Sequence, residues 1–134
     1  MGIIKSLLET LSEYTKKLEE LTLDDWKSFY AGIYLLQSQA QALIDIVQRG
    51  CSELGLKAEN YVESGRKLME EGIINQEEFE FYRRVVSFRN IVVHEYASIN
   101  LEIVKRIIAG KEFEKVYVLA LKIVEELKKR NIDP

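Results

Sequence analysis

Apolar residues recur at three- and four-residue steps along almost the whole chain, the spacing that lines one face of an α-helix. Ile4, Leu7, Leu8, Leu11, Tyr14, Leu18 and Leu21 trace a first amphipathic helix, with Lys5, Glu9, Glu13, Lys16, Lys17, Glu19 and Glu20 between them. Thr22, followed three residues later by Asp25, has the form of a capping box. It introduces a longer pattern of Trp26, Phe29, Tyr30, Ile33, Leu36, Ala40, Leu43, Ile44 and Val47 that reaches Gly50, which predicts a second helix of about seven turns. The stretch from Gly50 to Lys57 interrupts the pattern. A shorter helix is expected from about Glu59 to Glu71, ended by Gly72 in a left-handed cap. Asn75 and Glu78 make another capping-box pair and open a helix through Phe79, Tyr82, Val85, Val86, Phe88 and Val92. Ala97-Ser98-Ile99-Asn100 is a weak break before Leu101, Val104, Ile107 and Ile108, which run to Gly110. A last helix carries Phe113, Val116, Tyr117, Ala120, Ile123, Val124 and Leu127 and closes on Lys128-Lys129-Arg130, cations suited to a helix C-terminus. No strand alternation and no repeat appears. The pattern predicts an all-α bundle of four long helices plus one or two short ones.

Composition agrees with that picture and narrows it. A chain of 134 residues with 47% hydrophobic and 31% charged residues suits one domain, spanning residues 1–134, around one core. Its one proline is the last residue, so no helix is broken from within. A single cysteine, Cys51, rules out an intramolecular disulfide or a cysteine-cluster zinc site and fits a reducing compartment. No apolar run approaches the roughly 20 residues that span a bilayer, and acidic residues come too early for a signal peptide. The expected location is the cytoplasm, with no membrane partner. A net charge of -3 and a pI near 5.4 argue against a broad basic surface for duplex nucleic acid. Any contact with nucleic acid is then local.

One stretch does not fit packing alone. Arg89-Asn90-Ile91-Val92-Val93-His94-Glu95-Tyr96 contains the only histidine of the chain among Ile and Val. Each of its polar groups needs a partner or water. Chemistry at phosphate would use them, because a guanidinium grips phosphate oxygens bidentately and an imidazole moves protons near neutral pH. On a regular helix Asn90 and His94 lie about 40° apart, which places Asn90 to orient the ring, whereas Arg89 and His94 diverge by about 140°. Arg89 and His94 would meet if the helix is distorted or ends here, if Arg89 reaches over, or if two copies face each other across an axis. Asp45, the only acid between Asp25 and Glu53, reads either as a solvated aspartate or as a member of the same site. A metal centre is not expected: one His and no Cys pair leave Glu95 and Asp45 as a poor ligand set.

Phe88-Arg89-Asn90, three apolar residues, His94, one residue and Tyr96 resemble the Arg-x4-His-x-Tyr signature of the HepT-type members of the HEPN superfamily. The surroundings agree: the long helix with Gln41 and Asp45, the passage from Tyr61 to Gly72-Ile73-Ile74, and Ile99-Asn100 after Tyr96, together about residues 28 to 127. The resemblance implies an antiparallel HEPN-like bundle that forms a homodimer or a higher even oligomer. It also implies metal-independent endoribonuclease activity at a cleft between subunits, as the toxin of a type VII-like toxin–antitoxin pair, with no cofactor. The implied antitoxin is a minimal nucleotidyltransferase that attaches AMP to the signature tyrosine, here Tyr96. Cleaving RNA through its own 2′-OH needs a proton acceptor, a proton donor and a cation at the phosphate. One His per chain does not readily fill both proton roles, and a symmetric dimer supplies two His94 and two Arg89. Because Tyr96 is about 200° round the helix from His94, the helix is expected to loosen or end near Ala97-Ser98 and leave the phenol at the mouth of the cleft.

Two further readings stay open. Some HEPN domains are non-catalytic nucleotide-binding or scaffold modules, and the low basicity here is compatible with that role. Arg83 and Arg84 precede Arg89 on its own helix, and with Lys105, Arg106 and Lys111 they form either a local strip for RNA or an acidic partner, or a solvated face.

Overall fold

The computed structural model describes residues 2–94 and 99–132, and among these it holds six helices and no strand. They are α1 (Ile3–Glu20), α2 (Trp26–Glu53), α3 (Tyr61–Glu70), α4 (Gln76–His94), α5 (Leu101–Ala109) and α6 (Glu114–Lys129). Four are long and two are short, as the periodicity predicts. None is long and apolar enough to cross a membrane. Glu95, Tyr96, Ala97 and Ser98 lie outside the described residues, and with them the expected loosening of α4 and the position of the Tyr96 phenol.

The helix ends follow local chemistry. At α4 the Asn75 side-chain oxygen accepts from the Glu78 N–H at 2.8 Å while Glu78 accepts from the Asn75 N–H at 2.8 Å, so the predicted box is formed. Gly72 has φ +78°, the left-handed turn in which the Ile73 N–H reaches back to Leu68 O at 3.0 Å. The predicted Thr22/Asp25 box is corrected. Thr22 Oγ1 donates to Asp24 Oδ2, and Asp25 itself caps α2, accepting from the Ser28 N–H at 2.9 Å while Ser28 Oγ accepts from the Asp25 N–H at 3.1 Å. A serine at the third helical position fills the role expected of Glu or Gln, and the box moves three residues on. Gly50 does not end α2 either. It lies inside the helix, where a Cβ would come within 3.0 Å of Leu127 Cδ1, so its absence lets α6 approach. The stop is Gly55, at φ +74°.

Helix α2 is the axis of the bundle. Thr15 and Gln39 pair α1 with α2, and Gly32 sits against Leu21, so these helices run antiparallel. Gln41 meets Arg89 while Leu36 packs in one cluster with Val92, so α2 and α4 run antiparallel as well. One core cluster joins α1, α2, α3, α4 and α6 through residues such as Leu43, Val47, Leu68, Tyr82 and Ile123. A smaller cluster, with Ile33, Leu36, Val92, Val104 and Phe113, fastens α5 to the opposite end. Gln39 is buried there, and its amide donates to Thr15 Oγ1 at 2.8 Å and to Phe113 O at 3.0 Å. A buried amide is tolerated only when bonded in this way, and it pins three segments to one register.

Candidate active site

Arg89 lies on the stripe of α4 that faces α2 and α3, about two turns from the fully buried Tyr82. The Tyr82 hydroxyl donates to Tyr61 O at 2.8 Å and so holds the start of α3 against α4. Burial, with the nearby Cys51, Tyr61 and Asp45 adding to it, raises the Tyr82 phenol far above the ordinary tyrosine value and keeps it neutral as a donor. Gly65 permits this approach, because a Cβ there would overlap Tyr82 Cδ2 and stand 2.6 Å from Cε2. Tyr61 is thereby set beneath Arg89, whose guanidinium carbon is 5.3 Å from the ring centroid.

Three polar side chains fix the guanidinium. Its Nε donates to Gln41 Oε1 at 2.8 Å and its Nη1 to Asn90 Oδ1 at 3.0 Å. The Gln41 amide in turn donates from Nε2 to Asp45 Oδ1 at 2.9 Å. The carboxylate thus sets which way the amide points, and the amide oxygen then faces Arg89. Of five guanidinium N–H groups, two are engaged among the described residues, and no hydrogen bond to those residues occupies Nη2, the edge whose geometry suits an oxyanion.

The sequence-derived residues divide accordingly. Arg89, Asn90 and Asp45 are brought into one hydrogen-bonded cluster. His94 is exposed on the last turn of α4, round the helix from Arg89. The Asn90 carbonyl accepts from Arg89, the adjacent charged donor, and among the described residues no hydrogen bond joins Asn90 to His94. Arg83 pairs with Glu80 at 2.8 Å on the exposed surface. Arg84 lies over Phe81, 5.7 Å from its centroid, and lines an apolar cavity of about 470 Å³ together with Phe88, Ile91, Ile103 and Arg106. Neither arginine joins the Arg89 cluster. Tyr96 is outside the described residues. Gln41 and Tyr61 enter the cluster although the hydrophobic pattern marks neither as a site residue. Both stand in passages that agree with the family resemblance, Gln41 four residues from Asp45 and Tyr61 at the head of its passage, but that Tyr61 meets Arg89 depends on the packing of α3.

The sequence profile of the HepT-like family, described as ribonuclease HepT-like, matches residues 4–123. A candidate RNase of Archaeoglobus fulgidus is 30% identical over 95 residues, 71% of this chain and 70% of that protein. The fold is close to that of a chain from a toxin–antitoxin crystal structure with AMP-PNP, with a TM-score of 0.77 and 23% identity over 90% of this chain and 99% of the other. It is also close to a chain of the tri-AMPylated Shewanella oneidensis HEPN toxin in complex with an MNT antitoxin, with a TM-score of 0.76 and 24% identity over 89% and 97%. At those identities the structures speak for the all-α HEPN fold, and the profile match, running from the first helix to the last through Arg89 and His94, decides the lineage: this chain belongs to the HepT-like ribonuclease family and is an endoribonuclease.

Proposed function

We propose that this chain is the RNA-cleaving toxin of a toxin–antitoxin pair and that it acts as a homodimer, with Arg89 and His94 of both copies serving one cleft. The observation that carries this reading is the Arg89 cluster: Gln41, Asn90 and Tyr61 hold the guanidinium, with its Nη2 edge unoccupied among the described residues, a preorganised cation for a phosphate whose charge grows in the transition state. His94 stands exposed on a diverging face, so a second copy is the simplest way to complete the site. Exposed Ile91 and Ile103, beside the apolar cavity, supply surface for that copy to cover.

In this reading one His94 takes the proton of the ribose 2′-OH as its oxygen bonds to the adjacent phosphorus. The bond from phosphorus to the 5′-oxygen breaks, and the second His94, as imidazolium, protonates that leaving oxygen. The products are a 2′,3′-cyclic phosphate and a 5′-hydroxyl, and Arg89 stabilises the negative charge between. Asp45 positions Arg89 through Gln41. No metal enters these steps.

The antitoxin in this reading is a minimal nucleotidyltransferase. It joins the Tyr96 phenol oxygen to the α-phosphorus of ATP and releases pyrophosphate. The added phosphate then competes with RNA for Arg89. The test combines purified chain with a single-stranded RNA. Wild type should cleave it in EDTA and leave cyclic-phosphate ends, while His94→Ala and Arg89→Ala should each lose roughly a hundredfold or more in rate. Equal cleavage by folded His94→Ala, or abolition by the chelator, would overturn the mechanism.

A further inference from the structure

The apolar pattern of α2 puts Trp26 and Tyr30 in the buried stripe, yet both stand in solvent. Trp26 is 66% exposed, Tyr30 53% and Tyr34 60%. Capping explains how α2 can begin there without burying them, since the Asp25–Ser28 box supports the first turn by itself. It does not explain why three large aromatic residues should face water at four-residue steps.

Their placement relative to Arg89 does. Seven residues separate Tyr34 from Gln41 and eleven separate Tyr30 from Gln41, so both rings lie within about 20° of the line on which Gln41 meets Arg89. Because α2 and α4 are antiparallel, Val93, one turn beyond Arg89 and exposed, heads toward the Tyr34 end of α2. The line therefore runs from Arg89 past Val93 to Tyr34 and Tyr30, with Trp26 about 60° round the helix from it. Along α2 the rings are spaced by about 6 Å, roughly twice the 3.4 Å advance per nucleotide in a stacked strand, so an extended strand can present one base to each ring. Trp26 and Tyr30 already meet edge to face, with centroids 5.9 Å apart and planes at 79°. Cations flank the row: Lys27 Nζ is 5.7 Å from the Trp26 centroid, and Lys105 Nζ is 5.5 Å from that of Phe29. Asp25 is engaged as the cap of α2 and Asp24 as acceptor for Thr22, while Glu102 stands 3.8 Å from Lys105, an exposed pairing that an RNA phosphate can displace.

Resting on the nuclease reading of Arg89, we infer that Trp26, Tyr30 and Tyr34 form a stacking platform for unpaired bases of single-stranded RNA, leading the strand to the cleavage site. Base stacking on aromatic rings tolerates any sequence, because every base has a π-face, and it lends binding strength where the net charge cannot. It also selects unpaired RNA, since the bases of a duplex have no free faces to offer.

Trp26 is the only tryptophan, so its fluorescence reports this platform alone. The probe is a single-stranded 2′-O-methyl RNA, which lacks the attacking hydroxyl, titrated into the full-length protein. Trp26 emission should be quenched by the single strand and not by the same strand annealed to its complement. Tyr34→Ala should weaken binding of the probe roughly tenfold and raise KM on cleavable RNA by a similar factor, with kcat at saturation unchanged. Emission that stays constant while the probe competitively inhibits cleavage would overturn the platform. So would emission that responds only to a protein partner, which would make the row a protein-binding face. A chain that cleaves no RNA but is still quenched by the single strand would remove the nuclease reading and leave the platform standing.

Discussion

Gln41 couples two groups that the sequence leaves far apart, Asp45 and Arg89. Without its amide, Arg89 Nε loses its acceptor, and among the described residues the guanidinium keeps only Asn90 and the face of Tyr61. Gln41→Ala should therefore lower kcat/KM for RNA cleavage roughly tenfold, less than Arg89→Ala, because the cation remains but is no longer held in place. Tyr82 offers a test of the same corner through stability. Its phenol is raised far above the ordinary 10.0, so the folded state keeps the proton that the unfolded chain gives up above that pH. Stability from Tyr82 is then fully present below pH 10.0 and falls as the pH rises beyond it. Tyr82→Phe should cost about 1 kcal/mol at neutral pH through the lost bond to Tyr61 O and show a shallower alkaline decline in urea unfolding. An identical decline in both proteins would mean that Tyr82 is not the group responsible. The sequence marked Arg89, Asn90 and His94 by the oddity of polar groups in an apolar run. It did not reveal that Tyr61 lies against Arg89, because that partner arrives on another helix.

At the scale of elements, helix ends were legible where two side chains and one backbone turn suffice. Asn75/Glu78 and Gly72 are of this kind. Gly50 was misleading, since it marks a close approach by Leu127 and not a stop, which only the packing of α6 reveals. Trp26 and Tyr30 depart from the pattern for the opposite reason: their hydrophobicity suits a buried stripe, but both stand exposed near the start of α2. Gly65 is the hinge point of the site, because α3 can lie against Tyr82 only without a Cβ there. Gly65→Ala should destabilise the fold by about 1–3 kcal/mol through overpacking, lowering Tm. Because it pushes away the start of α3, it should also reduce cleavage at temperatures where the protein is still folded. Unchanged Tm and activity would show that the corner adapts without loss.

For the whole molecule, the acidic balance means that binding must come from placed groups and not from a general field. A dimer doubles those groups in one cleft, and sedimentation at micromolar concentration should give twice 15.6 kDa. A monomer that cleaves RNA would exclude a shared site. The most direct test mixes wild-type chains with His94→Ala chains under conditions that exchange subunits, then measures cleavage per total protein. If both His94 side chains act in one cleft, only doubly wild-type dimers turn over fully, so an equal mixture should retain about a quarter of the wild-type activity. Retention of about half, in proportion to the wild-type chains present, would mean that each chain works alone and would contradict the composite cleft.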